Sequence, residues 1–248
     1  MANSFPDVCS VFILWDVDHT LIENGGVSKE NYEKAFEMLT SRRPEHPVNT
    51  DGRTDPEIMR NTLVSHGIAQ VEQYMPRISE VLQEAMTSNA SELRARGYAM
   101  PGARAALGAF HQAPGIVQSV LTGNIRPNAL AKLAAFDLDS YIDFDVGGYG
   151  SDDNVRARLV SVAQGRARTK YGVTFDQDST VLIGDTTRDV QAGRHGGALV
   201  IAVATGADSI DELRAAGADV VLADLRDTEA IIDAVRNVTA GARKTEQN

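Results

Sequence analysis

The stretch VFILWDVDHT, Val11–Thr20, decides how the chain is read. Its first half is a short, unbroken apolar run rich in β-formers, the pattern of a strand covered on both faces. Its second half places Asp16 and Asp18 directly after that strand, with His19 and Thr20 following. Two carboxylates separated by one residue repel each other, and a divalent cation is one way to neutralise them. With a cation, Asp16 is an oxygen ligand and nucleophile and Asp18 an acid/base group. Without one, the segment is an acidic loop that solvates its own turn.

Further apolar runs recur at Ile116–Leu121, Thr180–Ile183, Leu199–Ala204 and Val220–Leu222. Helix-like segments lie around them at Asn128–Ala135, Asn154–Tyr171, Arg188–His195, Ser209–Ala216 and Thr228–Val238, and a polar tail begins at Thr239. Strand alternating with helix predicts an α/β fold, a Rossmann-like parallel sheet with helices on both faces. Residues 23–99 break the rhythm: they contain no apolar strand run and predict helices over Ser28–Leu39, Pro56–Ser65 and Pro76–Arg96. In the second of these, Asp55-Pro56-Glu57 reads as an N-cap, a first-turn proline and an acid at the positive dipole end. About 75 residues exceed what one crossover needs. The expected organisation is an α/β core of residues 1–22 and 100–248 and an all-helical module of residues 23–99. Glycine-containing junctions at Glu23–Gly26 and Gly97–Gly102 are the expected hinges.

Ligands of an open parallel sheet bind outside the carboxyl ends of its strands. The second strand ends in Thr122-Gly123-Asn124, where a hydroxyl and exposed amides can hold phosphate oxygens or simply form a turn. The third ends in IGDTTRD, Ile183–Asp189. Asp185 falls where it can complete a metal site begun by Asp16. Asp189 stands where the next helix begins, a place that also suits capping. Together the three ends offer what a metal-assisted phosphoryl transfer needs.

These residues resemble a known family. FILWDVDHTLIENGG (residues 12–26) is similar to the DxDxT signature of haloacid-dehalogenase-superfamily phosphatases. LTGN (residues 121–124) resembles their second motif, and VLIGDTTRDVQAGRHGGA (residues 181–198) their fourth. GSDDNVRARLVSVA (residues 150–163) resembles the segment carrying the basic third motif, which points to Arg156, with Arg158 as runner-up. The helical insertion matches the cap of some members, and GRTDPEIMRNTL (residues 52–63) resembles the cap segment of phosphoglycolate-phosphatase-like ones, with Arg53 and Thr54 as candidates for specificity. The resemblance implies that Asp16 attacks phosphorus, that Asp18 protonates the leaving oxygen and then activates water, and that Mg²⁺ sits between Asp16, the Asp18 backbone carbonyl and Asp185. It implies that Thr122, Gly123, Asn124 and Arg156 hold the phosphoryl group and that Asp189 orients the site from behind. His19 departs from the pattern, standing where glycine is common. A carboxylate at Asp18 favours phosphate esters over dehalogenation. A phosphosugar mutase shares the aspartyl-phosphate step and is the alternative; a non-catalytic phospho-acceptor domain fits less well, since it lacks Asp18 together with a helical insertion.

Composition agrees. The chain of 248 residues carries 24 Lys plus Arg and 34 Asp plus Glu, a formal charge of −10. Such acidity speaks against a nucleic-acid backbone as partner. The single cysteine, Cys9, excludes an intrachain disulfide. No stretch reaches the roughly 20 apolar residues of a membrane span, and the N-terminus shows no secretory pattern. The expectation is a cytoplasmic monomer or homodimer, acting on a small phosphorylated metabolite.

Overall fold

The computed structural model describes residues 11–50 and 52–245; Cys9 lies outside them. Strand β1 (Val11–Trp15) is followed by a two-residue strand, β2 (Ile22–Glu23). Four helices come next: α1 (Val27–Thr40), α2 (Asp55–Ser65), α3 (Ile78–Ser88) and α4 (Ala90–Arg96). Strand β3 (Tyr98–Ala99) then returns antiparallel to β2. The rest of the chain runs α5 (Ala103–Gln112), β4 (Ile116–Thr122), α6 (Arg126–Ala134), β5 (Gly148–Tyr149), α7 (Arg156–Tyr171), β6 (Thr180–Gly184), α8 (Thr187–Gly196), β7 (Leu199–Val203), α9 (Ile210–Ala216), β8 (Val220–Leu222) and α10 (Thr228–Thr245).

The main sheet has the order β5-β4-β1-β6-β7-β8, and each neighbouring pair is parallel. Side chains alternate across β1, as strand geometry requires. Ile13 and Trp15 join the core on one face, with Val120, Ile183 and residues of α5 and α10. Phe12 and Leu14 join the other, with Leu159, Val160 and Ala163 of α7. The chain leaves β1 towards β4 but leaves β6 towards β7. The carboxyl ends of β1 and β6 therefore border the crevice where connections part, the usual ligand position of such a sheet. The Asp16 N–H donates to the Ile183 carbonyl at 2.8 Å, which locks the two strand ends together.

The helices between β2 and β3 have their own apolar cluster, built on Phe36, Ile58, Met59, Leu63, Val81 and Leu82. Ile125, at the end of the β4 loop, inserts into that cluster and ties it to the sheet. The helix predicted over Pro76–Arg96 is interrupted: Asn89 ends α3 and begins α4, and Leu93 packs with Val27 and Met86. At the other end of the chain, α10 continues through Thr245, past the predicted start of a polar tail, and Thr239 is buried with its hydroxyl bonded to the Val235 carbonyl at 2.8 Å. Among the described residues no helix is long and apolar enough to cross a membrane.

Candidate active site

A cavity of about 410 Å³ opens at the carboxyl ends of β1, β4 and β6, with the helical insertion above it. Asp16, Asp18, Thr122, Gly123, Asn124, Arg156 and Asp185 all line it, so the fold gathers these residues from four separate parts of the chain.

On the β1–β6 side, Asp16, Asp185 and Asp189 are buried, and each offers a carboxylate oxygen within 4.8 Å of the others. Among the described residues the cation that pairs with them is Arg156, the first residue of α7, whose side chain is 11% exposed. It donates to Asp16 Oδ1 at 2.8 Å, to Asp189 Oδ1, and to the Gly52 carbonyl at 3.1 Å. When all three carboxylates are ionised, one guanidinium leaves two negative charges in excess. Burial, followed by the charge of Asp189, pushes the Asp16 carboxyl up to about 7 against the pull of Arg156. Burial, then Asp189 and Asp16, raises Asp185 well above the carboxylate range. Asp189 has a double duty. Its Oδ2 accepts from the Thr186 N–H at 3.0 Å and the Thr186 hydroxyl at 2.6 Å in a capping box, while its Oδ1 takes Arg156.

Asp185 is held from one side only. Its Oδ1 accepts from the Thr20 hydroxyl at 3.0 Å, and its buried Oδ2 has no hydrogen-bond partner. Gly206 makes room for that oxygen, since a β-carbon there would stand 1.8 Å from it. A buried orphan oxygen among oxygen donors with two uncompensated charges suits a hard divalent cation such as Mg²⁺.

Asp18 faces a different environment. Lys132 of α6 donates to its two oxygens at 2.8 and 2.7 Å, and Asn124 Nδ2 to Oδ2 at 2.8 Å. From the insertion side, Asn24 Nδ2 donates to Oδ1 at 2.8 Å. Burial alone would raise this carboxyl, but the Lys132 charge and the Asn124 and Lys132 hydrogen bonds outweigh it and hold Asp18 at about 2. The expectation that one divalent cation balances Asp16 and Asp18 together is therefore corrected. The charge of Asp18 is met by Lys132, and the uncompensated charge lies on the Asp16 side.

At the end of β4, the Thr122 hydroxyl accepts from Asn124 Nδ2 at 2.8 Å. Gly123 is pressed by the insertion: a β-carbon there would stand 2.2 Å from the Arg53 carbonyl, so only glycine allows this approach. The Gly123 carbonyl accepts from the Asp55 N–H at 2.7 Å. Asp55 was expected to be a helix cap. Thr54 holds that position instead, and the buried Asp55 carboxylate accepts from the Tyr32 hydroxyl at 2.6 Å and the Ile125 N–H at 2.8 Å. It joins the insertion to the β4 loop.

A profile of the haloacid dehalogenase-like hydrolases matches residues 13–194, from β1 through most of α8. The chain belongs to this family. Among solved structures, a hydrolase from Pseudomonas syringae is similar at 22% identity and a TM-score of 0.66, covering 91% of this chain and 98% of that one. A Bacteroides vulgatus protein assigned as a beta-phosphoglucomutase is similar at 18% identity and a TM-score of 0.67, covering 96% and 92%. CbbY from Rhodobacter sphaeroides, in complex with phosphate, is similar at 17% identity and a TM-score of 0.65, covering 88% and 96%. These likenesses show the fold. Among curated proteins no relative matches the sequence.

Within this haloacid dehalogenase-like hydrolase, the two arginines of α7 lie in different places. Arg156 lines the cavity, whereas the Arg158 side chain is 68% exposed and reaches only Asp153, at 3.3 Å. Arg53 lines the cavity from the insertion, with Glu57 at 3.2 Å and Asn49 at 3.0 Å. His19 lies at the cavity with a left-handed φ of 61° and its Nδ1 2.9 Å from Glu23. Lys132, Asn24 and Asp55 escaped the motif-based reading. Lys132 alone carries a sequence signal, since it shares the buried stripe of α6 with Asn128, Ala129 and Leu133.

Proposed function

We propose that this hydrolase is a Mg²⁺-dependent phosphatase of small phosphorylated metabolites, of the phosphoglycolate or sugar-phosphate type, working in the cytoplasm through an aspartyl-phosphate. The observation that carries this reading is the division of charge at the cavity. A carboxylate cluster with two charges in excess lies beside one carboxylate that has its own lysine. Asp16, Asp185 and the backbone carbonyl of Asp18 would hold the cation, which when bound supplies positive charge to the transferring phosphoryl group.

The chain's own residues divide the work. Asp16 attacks phosphorus and carries the phosphoryl group. Arg156, anchored to Asp189 and the Gly52 carbonyl, and Thr122 orient the phosphoryl oxygens, the positioning that dominates such transfers. Asp18 gives a proton to the leaving oxygen and afterwards takes one from the attacking water. Its low resting position suits the second task. For the first, a phosphate dianion arriving beside it favours the protonated form, as any like charge does. The insertion acts as a cap: Gly52, Arg53 and Asp55 close the cavity from above, and the β2–β3 ribbon is the hinge about which it opens.

A phosphosugar mutase differs only in what accepts the phosphoryl group from Asp16, and a bisphosphorylated intermediate in ³¹P spectra would identify it. The decisive assay is hydrolysis of p-nitrophenyl phosphate and a panel of phosphometabolites, with Mg²⁺ and with EDTA. Turnover that needs Mg²⁺ and disappears in Asp16→Asn is expected. Inactivity across the panel, or full activity of Asp16→Asn, overturns the reading.

A further inference from the structure

We propose that Lys132 is the positioning residue of Asp18: its ammonium fixes the carboxylate at the cavity, so that Asp18 serves esters whose leaving oxygen must receive a proton. The proposal rests on the reading of Asp18 as the acid/base group. Lys132 is 2% exposed, on the stripe of α6 that also buries Ala129 and Leu133. A buried ammonium is strongly unfavourable unless its donors are taken up. Lysine has three, and three acceptors surround it: Asp18 Oδ1 at 2.8 Å, Asp18 Oδ2 at 2.7 Å and Asn124 Oδ1 at 2.7 Å.

Lys132 does not line the cavity, whereas Asp18 does. The lysine stands behind the carboxylate and acts through it. Asn124 completes the arrangement. Its Oδ1 faces the ammonium, so its Nδ2 is directed at Asp18 Oδ2 and the Thr122 hydroxyl. Asn24 and Ser28 reach Asp18 Oδ1 from the insertion, at 2.8 and 3.4 Å. Donors on both sides leave the carboxylate one orientation, the locking by surrounding hydrogen bonds that a proton-transfer group requires. A lysine present only to fill space would be replaceable by methionine of similar length. Here the stem packs in the core while the charged end is spent entirely on Asp18 and its amide neighbour.

The test is a leaving-group series: p-nitrophenyl phosphate, phenyl phosphate and glycerol phosphate, hydrolysed by the wild type, Lys132→Met and Asp18→Asn in Mg²⁺. The nitrophenolate leaves without a proton, whereas the glycerol alkoxide does not. General acid catalysis contributes on the order of 10²–10⁴-fold. Both variants are expected to lose about 10²-fold or more in kcat/KM on glycerol phosphate and less than about 10-fold in kcat/KM on p-nitrophenyl phosphate, because kcat/KM reports transfer to Asp16 and not the later attack of water that Asp18 also serves. Lys132→Met is also expected to keep the upward melting shift on Mg²⁺ addition, since Asp16 and Asp185 are untouched. Lys132→Gln, one atom shorter and uncharged but with an amide that offers two donors, repeats the test should Lys132→Met not fold. An equal loss on all three substrates in the Lys132 variants, with a gradient in Asp18→Asn, overturns the proposal and leaves the lysine a packing residue. No gradient in Asp18→Asn, or no wild-type turnover, overturns instead the acid/base reading beneath it. Restoration of glycerol phosphate turnover in Lys132→Ala by propylammonium but not by propanol supports the proposal; equal rescue by both overturns it.

Discussion

Asp16 and Asp18 stand two residues apart on one strand end, under one insertion, yet they end in opposite electrostatic states. Burial and Asp189 push Asp16 up to about 7, while Lys132 and Asn124 overcome burial and hold Asp18 at about 2. Access to water does not account for the contrast, since burial is the largest influence on both and acts in the same direction. The difference is in who supplies the opposite charge. Arg156 is shared between Asp16 and Asp189, with Asp185 close by, whereas Lys132 makes its salt bridge with Asp18, and its charge also reaches the buried Asp55. A cluster left short of positive charge has room to take it from a cation, as proposed above. A satisfied ion pair is built to hold geometry. Local conflict at the first and agreement at the second is how a fold marks its reactive atoms.

The largest expected effect lies on the frustrated side. Asp16→Asn removes the proposed nucleophile and should reduce kcat by on the order of 10⁴-fold or more, the scale seen when catalytic nucleophiles are removed. The same substitution takes away one of two uncompensated charges, so its melting temperature in EDTA should equal or exceed that of the wild type. Asp18→Asn should do the reverse. It strands the Lys132 ammonium in the core, and breaking a buried pair costs about 3–5 kcal/mol. With the Asp18 side chain 24% exposed, the lower end applies, about 3 kcal/mol, or roughly 6–12 °C for a chain of this size. Thermal melts of both variants in EDTA check this. A fall in Asp16→Asn as large as that in Asp18→Asn would break the comparison.

The next effect is the dependence of metal stabilisation on pH. Asp16 is raised from 3.8 in an unperturbed carboxyl to about 7 in the fold. The folded form thus binds the proton more tightly, and the associated stability is present below 3.8 and lost as pH rises through 7. Asp185 is raised too and acts in the same direction. Asp18 is lowered, so its stability is present above 3.8 and lost only as pH falls towards 2. Between pH 5.5 and 8 the slope therefore comes from the Asp16 side. In EDTA the melting temperature should fall across that range. Mg²⁺ competes with protons for the same carboxylates, and at a hundred times its Kd should restore about 2.7 kcal/mol at pH 8. Melts with and without Mg²⁺ at the two pH values decide it: an equal shift at both would remove the frustrated cluster from the comparison.

Much of this was legible in the sequence, for physical reasons that also explain what was not. β1 and β7 are continuous apolar runs, β4 and β6 are apolar apart from a few polar or glycine positions and β8 is a short apolar triplet, and the order of strand ends delivers Asp16, Thr122 and Asp185 to one crevice. β5 is only Gly148–Tyr149, too short for any pattern, and is held by pairing with Leu121 and Thr122. Arg156 needed the family resemblance, because a lone arginine at a helix start has no chemical signature of its own. Lys132 was hidden by the usual reading of lysine as a marker of the solvated face. The distances that pair it with Asp18, 114 residues away, exist only once α6 packs beneath the β4 loop. Asp55 was misread as a cap for the same reason: its partners Tyr32 and Ile125 come from other elements.

The smallest expected effect is at His19, one residue beyond Asp18. Its left-handed φ of 61° costs a residue with a β-carbon about 1–2 kcal/mol, a cost glycine escapes. Its backbone is held independently of its side chain: the N–H donates to the Ile22 carbonyl at 2.7 Å, and the carbonyl accepts from the Thr205 hydroxyl at 2.6 Å. The side chain adds one contact, to Glu23, with the imidazole 46% exposed, which is worth less than about 1 kcal/mol. His19→Gly should therefore change stability by less than about 1 kcal/mol in either direction, because the relieved backbone and the lost contact offset each other. His19→Ala loses the contact and keeps the β-carbon at positive φ, so it should melt lower than His19→Gly. That order separates a backbone role from a side-chain role, and the opposite order would show that Glu23 holds the loop. If the backbone role holds, p-nitrophenyl phosphate turnover stays within about 3-fold of the wild type in both variants, because neither replacement disturbs the donors that hold Asp18 or the carboxylates around Asp16.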